Sequence, residues 1–89
     1  MLLAVDIGNT NTVVALFKKN TVVHQWRIYS DTKRTADEYT STVRSLFRDA
    51  GVLPSEVDSG ILSSVVPLLT GPFISVAVNL IGKKPLIVG

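Results

Sequence analysis

Seven consecutive residues near the start of the chain combine side-chain types that can bind an anion and a metal ion together. Residues 6–12 read DIGNTNT and lie between two apolar runs. A carboxylate such as Asp6, at the end of a buried strand, can hold a Mg²⁺ ion or its bound water against a phosphate. Gly8 lets the backbone approach a ligand closely, and consecutive N–H groups in such a turn can converge on an anion. The pattern predicts a loop that binds nucleotide phosphates.

The residues after Gly8 leave two interpretations open. Asn9, Thr10, Asn11 and Thr12 supply neutral amide and hydroxyl donors, which suit a phosphate whose charge is shared with a metal. The same residue types are common in hairpins, where their side chains bond to their own turn. The apolar runs on both sides favour the phosphate-binding interpretation. Neither the Walker A pattern nor GxGxxG is present, which argues against a P-loop or Rossmann site.

Other residues that could do chemistry are better explained by structure. His24 is the only histidine and lies on a strand expected to be partly exposed, so we interpret it as a surface residue. Trp26 is expected to pack rather than to stack on a ligand. Ser63 and Ser64 end a buried strand, where ligands often bind in such sheets, but no nucleophile elbow surrounds them. We expect these serines to have a supporting role at most.

Three strands are predicted around the loop. Residues 2–5 and 12–17 are the apolar runs before and after it, and polar and apolar residues alternate along 21–29. The third strand should therefore show one face to water. Because tight turns join them, the three strands are predicted to form an antiparallel meander.

The second half of the chain alternates helix and strand. Residues 35–38, TADE, form a capping box that starts a helix, which Gly51 ends, and the helix start accounts for Asp37 and Glu38. A largely buried strand is predicted at 60–66, where Pro67 ends it.

A second helix is predicted within residues 68–81, although Gly71 and Pro72 leave its start open because proline is tolerated only in the first turn. Residues 85–88 are predicted to be a final buried strand. The order βββαβαβ indicates an α/β fold with a mixed sheet whose later strands are parallel.

Bulk composition limits the possible partners. The 89 residues are 46% hydrophobic and 18% charged, which suits one folded domain, and no cysteine is present to form disulfides or thiolate metal sites. The net charge is +2, but the basic pairs lie apart at expected turns, so we expect no nucleic-acid partner. No apolar stretch reaches the roughly 20 residues of a membrane span, and no basic leader precedes Asp6. We expect no membrane partner and a cytoplasmic location.

Several segments together resemble one enzyme family. DIGNTNT at 6–12, WR at 26–27, TADEY at 35–39, SSVVP at 63–67 and PLIVG at 85–89 are similar, in order and spacing, to successive landmarks of type III pantothenate kinases. The DxGNT part is shared with acetate and sugar kinases, Hsp70 and actin relatives. Its combination with SSVVP is much more specific, and the resemblance spans the whole chain.

The resemblance implies an actin-like ATPase fold with a ribonuclease H-like core. It also implies ATP-dependent phosphorylation of the 4'-hydroxyl of pantothenate, the first step of coenzyme A synthesis, by a homodimer that uses Mg²⁺ and a monovalent cation, K⁺ or NH₄⁺. Only the loop carries over residue by residue, with Asp6 orienting the metal through water. The implied ATP-binding residues are Asp6, Ile7, Gly8, Asn9, Thr10, Asn11, Thr12 and Val13.

The family's other landmarks have no counterpart in these residues. The Gly-x-Asp-Arg motif with the catalytic aspartate, the pantothenate pocket, the cation site and the second ATP-binding lobe would all lie beyond Gly89. We expect residues 1–89 to be an amino-terminal ATPase-type domain, truncated before the second lobe, without a catalytic residue and inactive alone.

Such a piece should expose apolar surface on one sheet face and self-associate. Two alternatives stay open. One is another kinase of the actin-like superfamily, and the other is a non-catalytic binding or dimerising module.

Overall fold

The structure is a computed structural model that describes residues 1–89. Its strands and helices follow the predicted order βββαβαβ. The strands are Leu2–Ile7 (β1), Asn11–Lys18 (β2), Thr21–Tyr29 (β3), Ser59–Ser64 (β4) and Leu86–Val88 (β5). The helices are Ala36–Asp49 (α1) and Pro67–Ile81 (α2), and a short 3₁₀ turn covers Pro54–Glu56. Neither helix is both long and apolar enough to cross a membrane.

All five strands form one sheet in the order β3-β2-β1-β4-β5. The first three strands pair antiparallel, whereas β4 pairs parallel with β1 and β5 pairs parallel with β4. The predicted mixed sheet, with a meander followed by parallel strands, is therefore confirmed. The carboxyl ends of the parallel strands β1, β4 and β5 lie at one edge of the sheet, which is where ligands bind in open α/β sheets.

Both helices cover the same face of the sheet. Leu3, Val5 and Ile7 of β1 are each at most 5% exposed, and they belong to the hydrophobic core that also contains Phe47 of α1 and Phe73 of α2. Because side chains alternate along a strand, Leu2, Ala4 and Asp6 lie on the opposite face. We call this uncovered side the open face. Its residues are only partly buried or exposed, apart from Ala15.

The capping box predicted at the start of α1 is present. The Thr35 hydroxyl accepts a hydrogen bond from the Glu38 backbone N–H at 3.1 Å, and the Glu38 carboxylate accepts one from the Thr35 N–H at 2.9 Å. The hydrogen bonds that the Glu38 carboxylate accepts from the Thr35 N–H and, at 3.2 Å, from the Thr35 hydroxyl lower the pKa of Glu38 below its ordinary value, with a weaker contribution from the Arg34 guanidinium. At the other end of the helix, Gly51 takes a φ of 73°, which is the predicted left-handed stop.

The lowered pKa of Glu38 gives a testable dependence on pH. A carboxyl group with a lower pKa in the folded state stabilises the fold above its unfolded pKa, and this stabilisation is lost as the pH falls through the folded pKa. We expect the free energy of unfolding, measured by urea denaturation, to fall in acid more steeply for the native protein than for Glu38→Gln. Glutamine keeps an acceptor oxygen at this position but does not titrate. If the difference in the free energy of unfolding between the native protein and Glu38→Gln stayed constant from neutral pH into acid, the ionised Glu38 carboxylate would not stabilise the fold.

The junction between β4 and α2 differs from the sequence prediction. The strand ends at Ser64 rather than at Val66, because the Ser64 hydroxyl hydrogen bonds to both the N–H and the carbonyl oxygen of Val66 and closes a turn. Val65 is consequently 66% exposed. Pro67 does not merely end a strand but is the first residue of α2, a position where a missing N–H costs nothing.

Pro72 lies inside α2, where the sequence analysis did not expect a proline beyond the first turn. A proline ring normally clashes with the side chain of the preceding residue when that residue is helical. The preceding residue here is Gly71, which has no Cβ to make this contact. The glycine thus removes much of the steric obstacle to this proline. The left-handed Gly82, with a φ of 72°, follows the last helical residue, Ile81, which is where the predicted helix also ends.

The last strand is exposed, which corrects the prediction of a buried strand. Leu86, Ile87 and Val88 are 68%, 49% and 46% exposed. The reason is that β5 is an edge strand that pairs only with β4. The exposed apolar surface expected from the sequence is therefore present, whereas self-association through it stays a prediction.

Candidate functional site

The loop at the proposed site is shorter than the sequence suggested. Strand β1 continues through Ile7 and β2 begins at Asn11, so only residues 8–10 lie outside the sheet. Asp6 pairs with Val13, and Ile7 pairs with Thr12. The eight predicted ATP-binding residues therefore consist of a three-residue loop and the strand ends on either side of it.

Asp6 lies exposed on the open face, at the carboxyl end of β1. Its neighbours in the sheet are Val13 of β2 and Ser63 of β4. The carboxylate takes part in no hydrogen bond within the chain, and the one ion pair of the structure joins the amino terminus to Asp58 instead. Both oxygens of the Asp6 carboxylate are therefore available to a cation or to its bound water.

Gly8 makes a close backbone contact that other residues could not make. Its N–H donates a hydrogen bond to the carbonyl oxygen of Asn11 at 3.0 Å. A Cβ at Gly8 would lie 2.9 Å from that same oxygen, closer than real Cβ contacts occur. The tight turn between β1 and β2 thus depends on a residue without a side chain.

Asn9 and Thr10 form the exposed tip of the turn. Their backbone N–H groups donate no hydrogen bond within the chain, and the side chains of Asn9, Thr10 and Asn11 make none either. The alternative that these side chains serve only to bond their own turn is therefore not supported by the geometry. The tip has free N–H donors and neutral side chains, which is a composition suited to binding an anion.

Ile7 and Thr12 have no exposed side-chain surface, since both are 0% exposed and lie on the helix-covered face. The Thr12 hydroxyl is already used, because it lies 2.9 Å from the Ser30 hydroxyl in a buried hydrogen bond. Side-chain contact with a ligand at this site is left to residues such as Asp6, Asn9, Thr10 and Asn11. Ile7 and Thr12 instead fix the position of the turn.

A set of contacts that the sequence analysis missed braces the loop from the side. Ser30, directly after β3, donates its backbone N–H to the Thr10 carbonyl oxygen at 2.7 Å. The Tyr39 hydroxyl accepts a hydrogen bond from the Asp31 N–H at 2.8 Å and donates one to the Asp31 carbonyl oxygen at 2.9 Å. The Tyr39 ring packs on Phe73, with 4.5 Å between ring centroids. Helices α1 and α2 thereby fix the position of Ser30 and Asp31, and Ser30 in turn fixes the position of the loop.

The other candidate residues divide as follows. The His24 ring stacks on Trp26 at 5.6 Å between centroids, and Trp26 packs on Phe47 at 5.8 Å, so the packing role predicted for Trp26 is confirmed.

The structure contains no group of three or more acidic or histidine residues that could enclose a metal ion. A metal at this site would therefore be held by Asp6 together with the phosphates of a bound nucleotide, as is usual for Mg²⁺.

Neither cavity of the structure coincides with the loop. One, of about 450 Å³, lies at the opposite end of β1 beside Met1, Phe17 and Lys19. The other, of about 360 Å³, lies near the end of α1 beside Arg44 and Leu53. The candidate site is thus an open surface along the sheet edge rather than a closed pocket within these residues.

Comparison with known proteins identifies the family. A sequence profile described as type III pantothenate kinase matches residues 2–89. Proteins named type III pantothenate kinase from Exiguobacterium sibiricum, Geobacter sulfurreducens and Halalkalibacterium halodurans are 38%, 42% and 39% identical over all 89 residues. In each case the match covers 100% of this chain and 35% of the relative, so the chain spans about a third of the length of these relatives.

Solved structures support the fold independently. A putative N-acetylglucosamine kinase from Porphyromonas gingivalis superimposes with a TM-score of 0.67 at 15% identity, covering 98% of this chain and 32% of that one. A ROK hexokinase from Thermus thermophilus gives a TM-score of 0.69 at 12% identity, covering 98% and 34%. These are sugar kinases of the actin-like ATPase fold, so the predicted fold is confirmed. With the profile match over residues 2–89, the chain belongs to the type III pantothenate kinase family.

Proposed function

We propose that this chain supplies the ATP phosphate-binding loop of an enzyme that phosphorylates pantothenate to 4'-phosphopantothenate, the first step of coenzyme A biosynthesis. Residues 1–89 would form an amino-terminal ATPase-type domain within it. The observation that carries the proposal is the turn after β1. It combines two free backbone N–H groups, at Asn9 and Thr10, with an unbonded Asp6 carboxylate at the carboxyl end of the strand.

In this proposal each residue of the loop has a defined task. The N–H groups of Asn9 and Thr10 donate to phosphate oxygens of ATP, and Gly8 allows the tight turn that exposes them. Asp6 positions the metal ion through its bound water. In phosphoryl transfer, positioning and neutralisation of charge supply most of the catalysis, and Mg²⁺ contributes by neutralising charge on the phosphates. We assign no general base to these residues.

The residues present fit a magnesium ion of this kind. Mg²⁺ usually keeps several waters and binds one or two carboxylates together with substrate phosphates. Asp6 supplies one carboxylate that has no other partner. For the whole protein we further propose a requirement for K⁺ or NH₄⁺, a homodimer and a cytoplasmic location, all supported by membership of the family. No residue of this chain is assigned to the monovalent cation.

The two alternatives from the sequence differ in their support. The sugar kinases among the solved structures are only 15% and 12% identical and indicate fold alone, whereas relatives at 38% to 43% identity are all named pantothenate kinases. This difference favours pantothenate as the acceptor. A non-catalytic dimerising module is favoured by one observation, the exposed apolar edge strand β5.

The acceptor can be tested in the full-length protein that contains this chain. With ATP and Mg²⁺ present, we expect ADP to form when pantothenate is added and not when N-acetylglucosamine or glucose is added. A coupled assay of ADP release measures this directly, with mass spectrometry of the phosphorylated product as confirmation. ATP binding without ADP release on any of these acceptors would support the non-catalytic module instead.

A further inference from the structure

Ser63 lies beside Asp6 on the open face of the sheet. The parallel pairing of β1 with β4 places the two residues in register, so their side chains extend from the same face. Neighbouring strands lie about 4.8 Å apart. Both residues are near the carboxyl ends of their strands, at the sheet edge that also contains the loop. A hydroxyl group is therefore next to the carboxylate proposed to position the metal ion.

The Ser63 hydroxyl has no structural task within the chain. It is exposed and takes part in no hydrogen bond, and none joins it to Asp6. Its neighbour Ser64 is different, because the Ser64 hydroxyl bonds to both backbone polar groups of Val66 and closes the turn before α2. From the sequence, both serines were expected to have a supporting role at most, but their hydrogen bonds in the structure differ. Ser64 shapes the chain, and Ser63 is free to bind.

The group that bridges Asp6 and Ser63 can be inferred from charge. The Asp6 carboxylate repels a bare phosphate oxygen, so a shared partner of the two side chains must carry positive charge or donate hydrogen bonds. A hydrated Mg²⁺ ion satisfies both conditions, since it is positively charged and keeps several bound waters that donate hydrogen bonds. A hydroxyl group can accept a hydrogen bond from it, as a carboxylate can.

We propose that Ser63 is a positioning residue that, together with Asp6, holds the hydrated Mg²⁺ ion of the bound nucleotide. The Ser63 hydroxyl accepts a hydrogen bond from a water ligand of the ion, and Asp6 accepts from another. This inference rests on the proposed function of the loop and adds a second contact to it. Outer contacts to metal ligands typically change metal affinity by 10-fold to 100-fold when they are removed.

The test measures metal-dependent nucleotide binding rather than turnover. In the full-length protein, ATP affinity is determined by calorimetry at a series of Mg²⁺ concentrations, and again with the metal chelated. For Ser63→Ala we expect the Mg²⁺ concentration at half-maximal ATP affinity to rise about tenfold. ATP affinity without metal and the Tm should not change. Ser63→Thr, which keeps the hydroxyl, should restore most of the metal dependence.

Ser59 provides a matched control in the same strand. It is exposed, belongs to β4 and lies on the open face like Ser63, but at the opposite end of the strand. Ser59→Ala should therefore behave as the native protein. If Ser63→Ala also behaves as the native protein, the role of Ser63 is wrong and that of Asp6 can stand. If the native protein shows no Mg²⁺-dependent ATP affinity, the proposed function itself is wrong, and this inference with it.

Discussion

Replacing Asp6 with asparagine is expected to lower the kcat of the full-length kinase by about 10²-fold to 10³-fold, the size of effect seen when one charge-stabilising group is removed from an active site. The reason is that asparagine keeps the shape of the side chain but removes the negative charge that positions the metal ion. Because Asp6 is exposed and makes no hydrogen bond or ion pair, the free energy of unfolding should stay within about 0.5 kcal/mol of the native value.

Asp37→Asn is the matched control for this substitution. Asp37 is also exposed but belongs to the first turn of α1 rather than to the strand ends that form the site. The control removes the same charge and should leave kcat unchanged in the ADP-release assay. A loss of activity in Asp6→Asn that was accompanied by an equal loss of stability, or was matched by Asp37→Asn, would mean that Asp6 has no specific role at the phosphates.

The largest expected effect on stability is at Phe73. Its side chain is 0% exposed, and its ring packs on Tyr39 between the two helices. Phe73→Ala should lower the free energy of unfolding by about 3–5 kcal/mol, since it removes buried apolar surface and leaves a cavity. Because folded domains have only about 5–15 kcal/mol of stability in total, this is a large fraction. Urea denaturation followed by circular dichroism measures the loss.

Two variants of α2 show whether the loss comes from packing at this position. Phe73→Leu keeps much of the side-chain volume and should be considerably less destabilising than alanine. Val78 belongs to the same helix but is 39% exposed. Val78→Ala should therefore change the free energy of unfolding by no more than about 0.5 kcal/mol. Equal losses in Phe73→Ala and Val78→Ala would indicate that helix formation, not core packing, dominates.

The elements of this fold were predictable where their signals are local. The capping box at residues 35–38 and the left-handed glycines Gly51 and Gly82 set the helix ends through neighbouring residues alone. The alternation along β3 likewise predicted its bounds correctly. These features depend on backbone geometry within a few residues, and the sequence displays all of that information.

Other features depend on pairing between distant residues and were missed for that reason. The first apolar run ends at Val5, where the polar residues begin, yet Asp6 and Ile7 both pair with β2 and β4, so the strand extends to Ile7. The exposure of β5 depends on its position at the sheet edge, which its apolar sequence does not reveal.

At the candidate site, too, some features were predictable from local sequence, and others depend on residues far apart in the chain. The type and order of its residues indicated phosphate binding, and the close contact at Gly8 agrees with the reason given for a glycine there. The hydrogen bond between Thr12 and Ser30, residues 18 apart in sequence, could not be inferred from either residue alone. Nor could the adjacency of Asp6 and Ser63, which requires the register of β1 with β4.

The conformation of the loop is fixed by contacts with Ser30, Asp31 and Tyr39 and does not depend on which side chains the loop exposes. The path of the backbone through Thr10 is set by contacts from outside the turn, at Ser30 and through Tyr39. The entropy of ordering the loop is therefore lost when the chain folds and not when a ligand binds. The side chains of Asn9 and Thr10 make no hydrogen bond and do not contribute to that shape. Selection can alter these two side chains to suit a different anion while the scaffold beneath them stays the same.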